Sequence, residues 1–122
     1  MTTIDWSEGT STSRDDLPTT ITTYLDAHLR RDVVVAIATL TPDAAVTDEG
    51  QTYRGHDEIR DWLARAGSEF TYTTEFIGAT TIDASHVDVL HRIEGDFPGG
   101  VADLHYRFTL DGDSISRLII EP

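Results

Sequence analysis

At Gly67 the spacing of apolar residues switches from helical to two-residue, and that switch constrains the fold more than any other feature of the chain. Before it, "HDEIRDWLARAG" places Asp57 and Glu58 in a first helical turn, Ile59, Trp62, Leu63 and Ala66 on one face, and Gly67 as a stop. Beyond it, Phe70, Tyr72, Thr74 and Phe76 alternate with Thr71, Thr73 and Glu75. Val87, Val89, His91 and Ile93 do the same, as do Ala102, Leu104, Tyr106, Phe108 and Leu110. "LDGDS" is a hairpin signal, "DFPGG" separates two strands, and "SISRLII" closes the set. Helices followed by a meander of long antiparallel strands predict an α+β fold with helices covering one sheet face.

Upstream, "DLPTTITTYLDAHLRRD" reads as a helix with Asp16 as cap and Pro18 in its first turn. Leu17, Ile21, Tyr24, Leu25 and His28 share one face, and Arg30 and Arg31 sit where the helix dipole favours cations. "DVVVAIATLTPD" is ambiguous: its β-branched run favours a strand, yet Val34, Ile37, Ala38 and Thr41 also fit a helical stripe. "AAVTDE" and "QTYRG" read as two short strands around a tight turn at Gly50. Residues 1–15, rich in Thr, Ser and acids, read as a loose N-terminal arm in which Ile4 and Trp6 can dock; residues 16–122 read as one domain.

Composition narrows the partners. Twenty-two acids face nine bases, all of them Arg, for a net charge of −13. A field of that sign repels phosphate backbones and anionic membranes, so neither nucleic acid nor membrane is an expected partner. The acids are dispersed along the chain, as on a solvated surface. With no Cys there are no disulfides, thiolate nucleophiles or thiolate metal sites. No 18-residue apolar run and no leader with an apolar core are visible, which predicts a cytoplasmic protein.

The segments "YLDAHLRRDVVVAIATLTPDAAVTDEG", "YRGHDEIRDWL" and "LHYRFTLDGDSISRLIIEP" resemble the nuclear transport factor 2-like superfamily, which includes ketosteroid isomerases and SnoaL-like polyketide cyclases. The resemblance covers Leu17 to Glu121. It implies a cone-shaped, cystatin-like fold: a curved, mostly antiparallel sheet wrapped around N-terminal helices, open at one end around an apolar pocket. It makes Val33 to Leu40 a second helix. It also implies a homodimer through the outer sheet face, although Asp103, His105 and Arg107 make that face polar here.

In the ketosteroid isomerases a general-base Asp follows a "DATVED"-like segment, and "DAAVTD" puts Asp48 there. That enzyme, a worked case of carboxyl chemistry, pairs an Asp base with an oxyanion hole of a Tyr and a protonated Asp. Asp48 also fits ordinary turn chemistry, as a carboxylate accepting backbone hydrogen bonds. Tyr24 falls where the resemblance implies the oxyanion-hole Tyr; a core aromatic on an amphipathic helix is the plainer reading. The second donor is missing, because Leu104 stands at its place and Asp103 points to the other face by alternation. His91, on an otherwise apolar face, is a candidate auxiliary acid–base or a core residue. His28, one turn after Tyr24, can approach the same mouth. Trp62, Tyr72, Tyr106 and Phe108 are expected to pack the core or line the pocket and bind substrate.

HExxH, GxSxG and phosphate-cradling glycine motifs are all lacking, and no metal or other cofactor is expected. The resulting expectation is a metal-free acid–base isomerase, cyclase or dehydratase acting on a small apolar carbonyl compound, with Asp48, Tyr24 and His91 catalytic. The alternative is a non-catalytic hydrophobic-ligand binder or an oligomeric accessory domain on the same fold.

Overall fold

The computed structural model describes residues 4–66 and 72–122, so Gly67, Phe70 and Thr71, together with the Ala66 side chain, lie outside the described residues. The elements run β1 (Thr10–Thr12), a 3₁₀ turn (Arg14–Asp16), α1 (Thr19–Arg30), α2 (Val33–Ala38), β2 (Leu40–Asp48) and β3 (Gln51–Arg54). They continue as α3 (Gly55–Ala66), β4 (Tyr72–Asp83), β5 (His86–Gly95), β6 (Val101–Asp111) and β7 (Ser114–Glu121). The strands form one seven-stranded sheet in the order β1-β4-β5-β6-β7-β2-β3. Among the described residues only β2 and β7 pair in parallel. Register shifts between Phe76 and Gly78 and between Thr109 and Leu110 bend the long strands, and the curved, unclosed sheet wraps the helices as a cone.

Local chemistry explains the helices, with three corrections to expectation. Asp16 belongs to the 3₁₀ turn, and Pro18 is the residue preceding α1. The ambiguous segment is helical because the Asp32 carboxylate accepts the Val35 N–H at 3.2 Å, a cap that outweighs β-branched propensity. That helix ends at Ala38 rather than Leu40: the Thr39 hydroxyl donates to the Ala36 carbonyl at 2.7 Å, and Leu40 already opens β2. Its inward face is Ala36 and Ile37, whereas Val34 is 80% exposed. At the start of α3 the Glu58 carboxylate turns back to accept the Arg54 N–H.

Ile21, Tyr24 and Leu25 of α1 pack with Ile59, Trp62 and Leu63 of α3 against the inner sheet face, where Val46, Val87, Val89, Phe108, Ile115 and Leu118 are buried. Each such side chain contributes about 1.5–3 kcal/mol on burial. The outer face is ionic. Asp88, only 7% exposed, accepts from His105 Nδ1 at 2.8 Å and has Arg107 Nε at 3.7 Å; Arg107 also pairs with Glu121. Arg92 is paired with Asp103. The N-terminal arm reaches this face: Trp6 meets His86 edge-on and lies 5.8 Å from the Arg107 guanidinium, and Thr10–Thr12 adds an edge strand to β4. No helix of the described residues is long and apolar enough to cross a membrane.

Candidate active site

β2 and β3 are joined by Glu49 and Gly50, with φ of 52° and 77°, the paired positive values of a type I′ turn. Such a turn fixes the register, and alternation through β2 then places Ala44, Val46 and Asp48 on the inner side while Glu49 stays exposed. Asp48 reaches the wall of a cavity of about 870 Å³ at the open end of the cone. Trp62 supplies the inner face of α3, and its indole Nε1–H donates to Asp48 Oδ2 at 3.0 Å. Tyr53 stacks on Trp62 with ring centroids 6.0 Å apart, and the Arg65 guanidinium lies over Tyr53.

His28, Trp62, Tyr72 and Tyr106 line this cavity with Asp48, as do Leu104, Ile93 and Phe97. Leu104 therefore presents an apolar wall at the late-strand position, and Asp103 is turned outward onto Arg92. The remaining three expected site residues stand behind the wall. Tyr24 has no exposed surface; it packs on Phe108, and its hydroxyl meets His28 Nδ1 at 3.1 Å. Phe108 is likewise fully buried, so it packs the core instead of touching the cavity. His91 is 4% exposed and lies between Phe76 and Tyr106, its ring centroid 4.9 Å from that of Tyr106. The reason is depth: both Tyr24 and His91 sit on the inner face as expected, but one layer further from the mouth than His28 and Tyr106.

Burial governs the electrostatics. It pushes the Tyr24, Tyr72 and Tyr106 phenols up, and the Asp48 charge adds to the rise in all three, so each keeps its proton at neutral pH. Burial also lowers His28 to about 4, helped by His91. His91 falls to about 4 through burial and then the nearby Arg14 charge, and its Nδ1 has no hydrogen-bond partner among the described residues. The site thus combines the Asp48 carboxylate, a neutral imidazole at the wall and protonated phenols, with Glu49, Glu121 and Arg65 also on the cavity lining. Among the described residues no three His, Asp or Glu side chains converge as metal ligands would. Sequence reading missed Tyr53 and Arg65; alternation in "QTYRG" was the available signal for Tyr53, opposite Val46.

A curved sheet wrapped around three helices, open over an aromatic cavity with a carboxylate on its wall, defines a cystatin-like, nuclear transport factor 2-like protein. Within that class the chain belongs to the SnoaL-like domain family, whose model matches residues 21–118. It is similar to the crystal structure of a proposed polyketide cyclase from Sinorhizobium meliloti: 33% identity, TM-score 0.83, 90% of this chain and 100% of that chain covered. A protein of ketosteroid isomerase-like fold from Catenulispora acidiphila, in complex with trimethylamine, matches at TM-score 0.74 and 17% identity over 86% of this chain and 85% of that one. A cystatin-fold protein from Novosphingobium aromaticivorans matches at TM-score 0.71 and 19% identity, over 84% and 95% of the two chains. The latter two likenesses are of fold alone. No curated protein matches the chain significantly.

Proposed function

We propose that this chain is a metal-free acid–base enzyme of the isomerase, cyclase or dehydratase type, acting on a small, mostly apolar carbonyl compound with Asp48 as general base. One observation carries the reading: the Asp48 carboxylate stands on the wall of an aromatic cavity and is aimed by the Trp62 indole N–H. A base must be oriented before its basicity matters, and an aromatic pocket strengthens the electrostatics around it.

The chemistry follows from that placement. Asp48 takes a proton from the carbon beside the carbonyl, and the electron pair of the broken C–H bond moves onto the carbonyl oxygen. The enolate then has three outlets: return of the proton from Asp48 at another carbon; attack on a second carbonyl to close a ring, the new alkoxide taking the Asp48 proton; or expulsion of a β-hydroxyl, which leaves as water with that proton. The similarity to a proposed polyketide cyclase favours the second. Tyr106, at the wall, positions the ligand; His91, behind it, influences the site through Tyr106 rather than by touching the ligand.

The test needs no knowledge of the natural substrate. A panel of apolar ketones and enones is incubated with the protein in deuterated water, and exchange at the α-carbon is followed by mass spectrometry. At least one compound should exchange faster with the wild type, and Asp48→Asn should slow that exchange by about 10²–10⁴-fold. Exchange equal in wild type and Asp48→Asn sinks the assignment. Tight ligand binding with no exchange favours the non-catalytic binder instead.

A further inference from the structure

We infer that the hydrogen-bond donor to the developing enolate oxygen is the Nε2–H of His28, held in that tautomer by Tyr24; this rests on the reading of Asp48 as the base. The sequence pointed to Tyr24 as the donor. The structure shows its hydroxyl sealed in the core, spent on His28 Nδ1 at 3.1 Å, while His28 itself lines the cavity.

The tautomer follows from counting protons. A phenol that keeps its proton can donate it, and among the described residues the hydrogen-bond partner that the Tyr24 hydroxyl meets is Nδ1. The ring proton of a neutral His28 then resides on Nε2. Among the described residues no hydrogen bond reaches Nε2. Neutrality is secured by burial and by His91, which hold His28 at about 4. A neutral donor suits this site better than a cation. An imidazolium beside Asp48 would pair with the carboxylate and quench the base, whereas a neutral N–H stabilises an oxyanion and keeps its proton throughout.

Geometry places base and donor around one ring. Trp62 gives its N–H to Asp48, and its ring lies 5.8 Å from the His28 ring, centroid to centroid. A ligand in the cavity that Asp48 and His28 both line meets both groups. Tyr106, perpendicular to His28 at 5.9 Å, closes the same corner. His28 is thus a catalytic residue of the proposed reaction, and Tyr24 a positioning residue that acts through it.

NMR of the His28 ring nitrogens tests the tautomer without any ligand. The wild type should carry its proton on Nε2, and Tyr24→Phe should give a mixture of tautomers, a change that a merely structural role for Tyr24 would not produce. A proton on Nδ1 in the wild type overturns the inference. The second arm uses para-nitrophenolate, an enolate-like oxyanion followed by its absorbance, with Asp48→Asn standing in for the protonated base. Adding His28→Phe should weaken binding about ten- to hundredfold, and His28→Gln, which keeps an N–H, should recover part of that loss. If the loss appears only with Tyr106→Phe and His28→Phe has no effect, the donor is Tyr106 and the inference falls while Asp48 stands. Equal phenolate affinity in wild type and Asp48→Asn overturns the base reading itself, because an ionised carboxylate facing the probe must repel it.

Discussion

Asp48 and Asp88 lie in the same sheet on opposite faces, and their surroundings give the two carboxylates different uses. Asp88 is nearly buried between His105 and Arg107, so its charge is matched by cationic or protonatable neighbours. Asp48 accepts from the Trp62 indole N–H at the cavity wall, and its charge is felt by the phenols of Tyr24, Tyr72 and Tyr106. The Trp62 N–H fixes the direction of the Asp48 carboxylate at the cavity wall. The outer-face acid therefore serves cohesion, and the inner-face acid is the one to which the proposed function gives chemistry.

The comparison breaks most sharply if the two acids can be exchanged in their effects. Asp48→Asn is expected to cost about 3–5 kcal/mol of barrier in α-proton exchange, with less than about 1 kcal/mol of stability lost in urea titration. Asp88→Ala should do the reverse, lowering stability by about 2 kcal/mol by stranding His105 and leaving Arg107 with Glu121 alone, with exchange unchanged. A large stability loss from the first, or a large activity loss from the second, would erase the division.

Acid should act on the inner face first. An unfolded histidine titrates near 6.5, while His91 in the fold is held at about 4 by burial and Arg14. Between those values the unfolded chain binds the proton and the native chain does not, so stability falls as pH drops from 6.5 to 4 and is level above that window. For His91 the loss is about 3 kcal/mol across the window, with His28 adding in the same direction. Thermal melts of His91→Leu should show a shallower pH slope than wild type; an unchanged slope would mean His91 is not shielded as its burial indicates.

Smaller substitutions sharpen the contrast. Trp62→Phe keeps the ring contacts with Tyr53 and His28 but removes the N–H to Asp48, and should slow exchange about tenfold. Trp6→Ala uncovers Arg107 and His86 on the outer face and should cost roughly 0.5–1 kcal/mol in a melt, without touching exchange.

Much of the fold was legible because it is written in local periods. The two-residue alternation of β5 and β6 correctly sorted Val87, Val89, His91, Tyr106 and Phe108 inward and Asp88, His105 and Arg107 outward. Alternation in β2 pointed to Asp48 as the inward member of its pair, and Glu49, though exposed in the turn, also reaches the cavity lining. The second helix was legible only through family resemblance, since a string of valines competes with a single Asp32 cap. The inward orientation of Tyr24 and His91 was readable, but their depth was not. A period tells which face a side chain takes; how many layers lie between it and a cavity depends on how far α1 and α3 sink into the cone.

The chain by itself determined the order of elements, the inner and outer faces and the carboxylate that faces in, because backbone periodicity and turn chemistry are properties of neighbouring residues. Tertiary structure decided the partners: that Trp62 aims Asp48, that Arg107 and His105 enclose Asp88, and that Tyr24 hands its hydrogen bond to His28. Those contacts join residues on different strands and helices, or set which of two residues one turn apart reaches the wall. Only the packing of apolar faces brings such groups within hydrogen-bond distance.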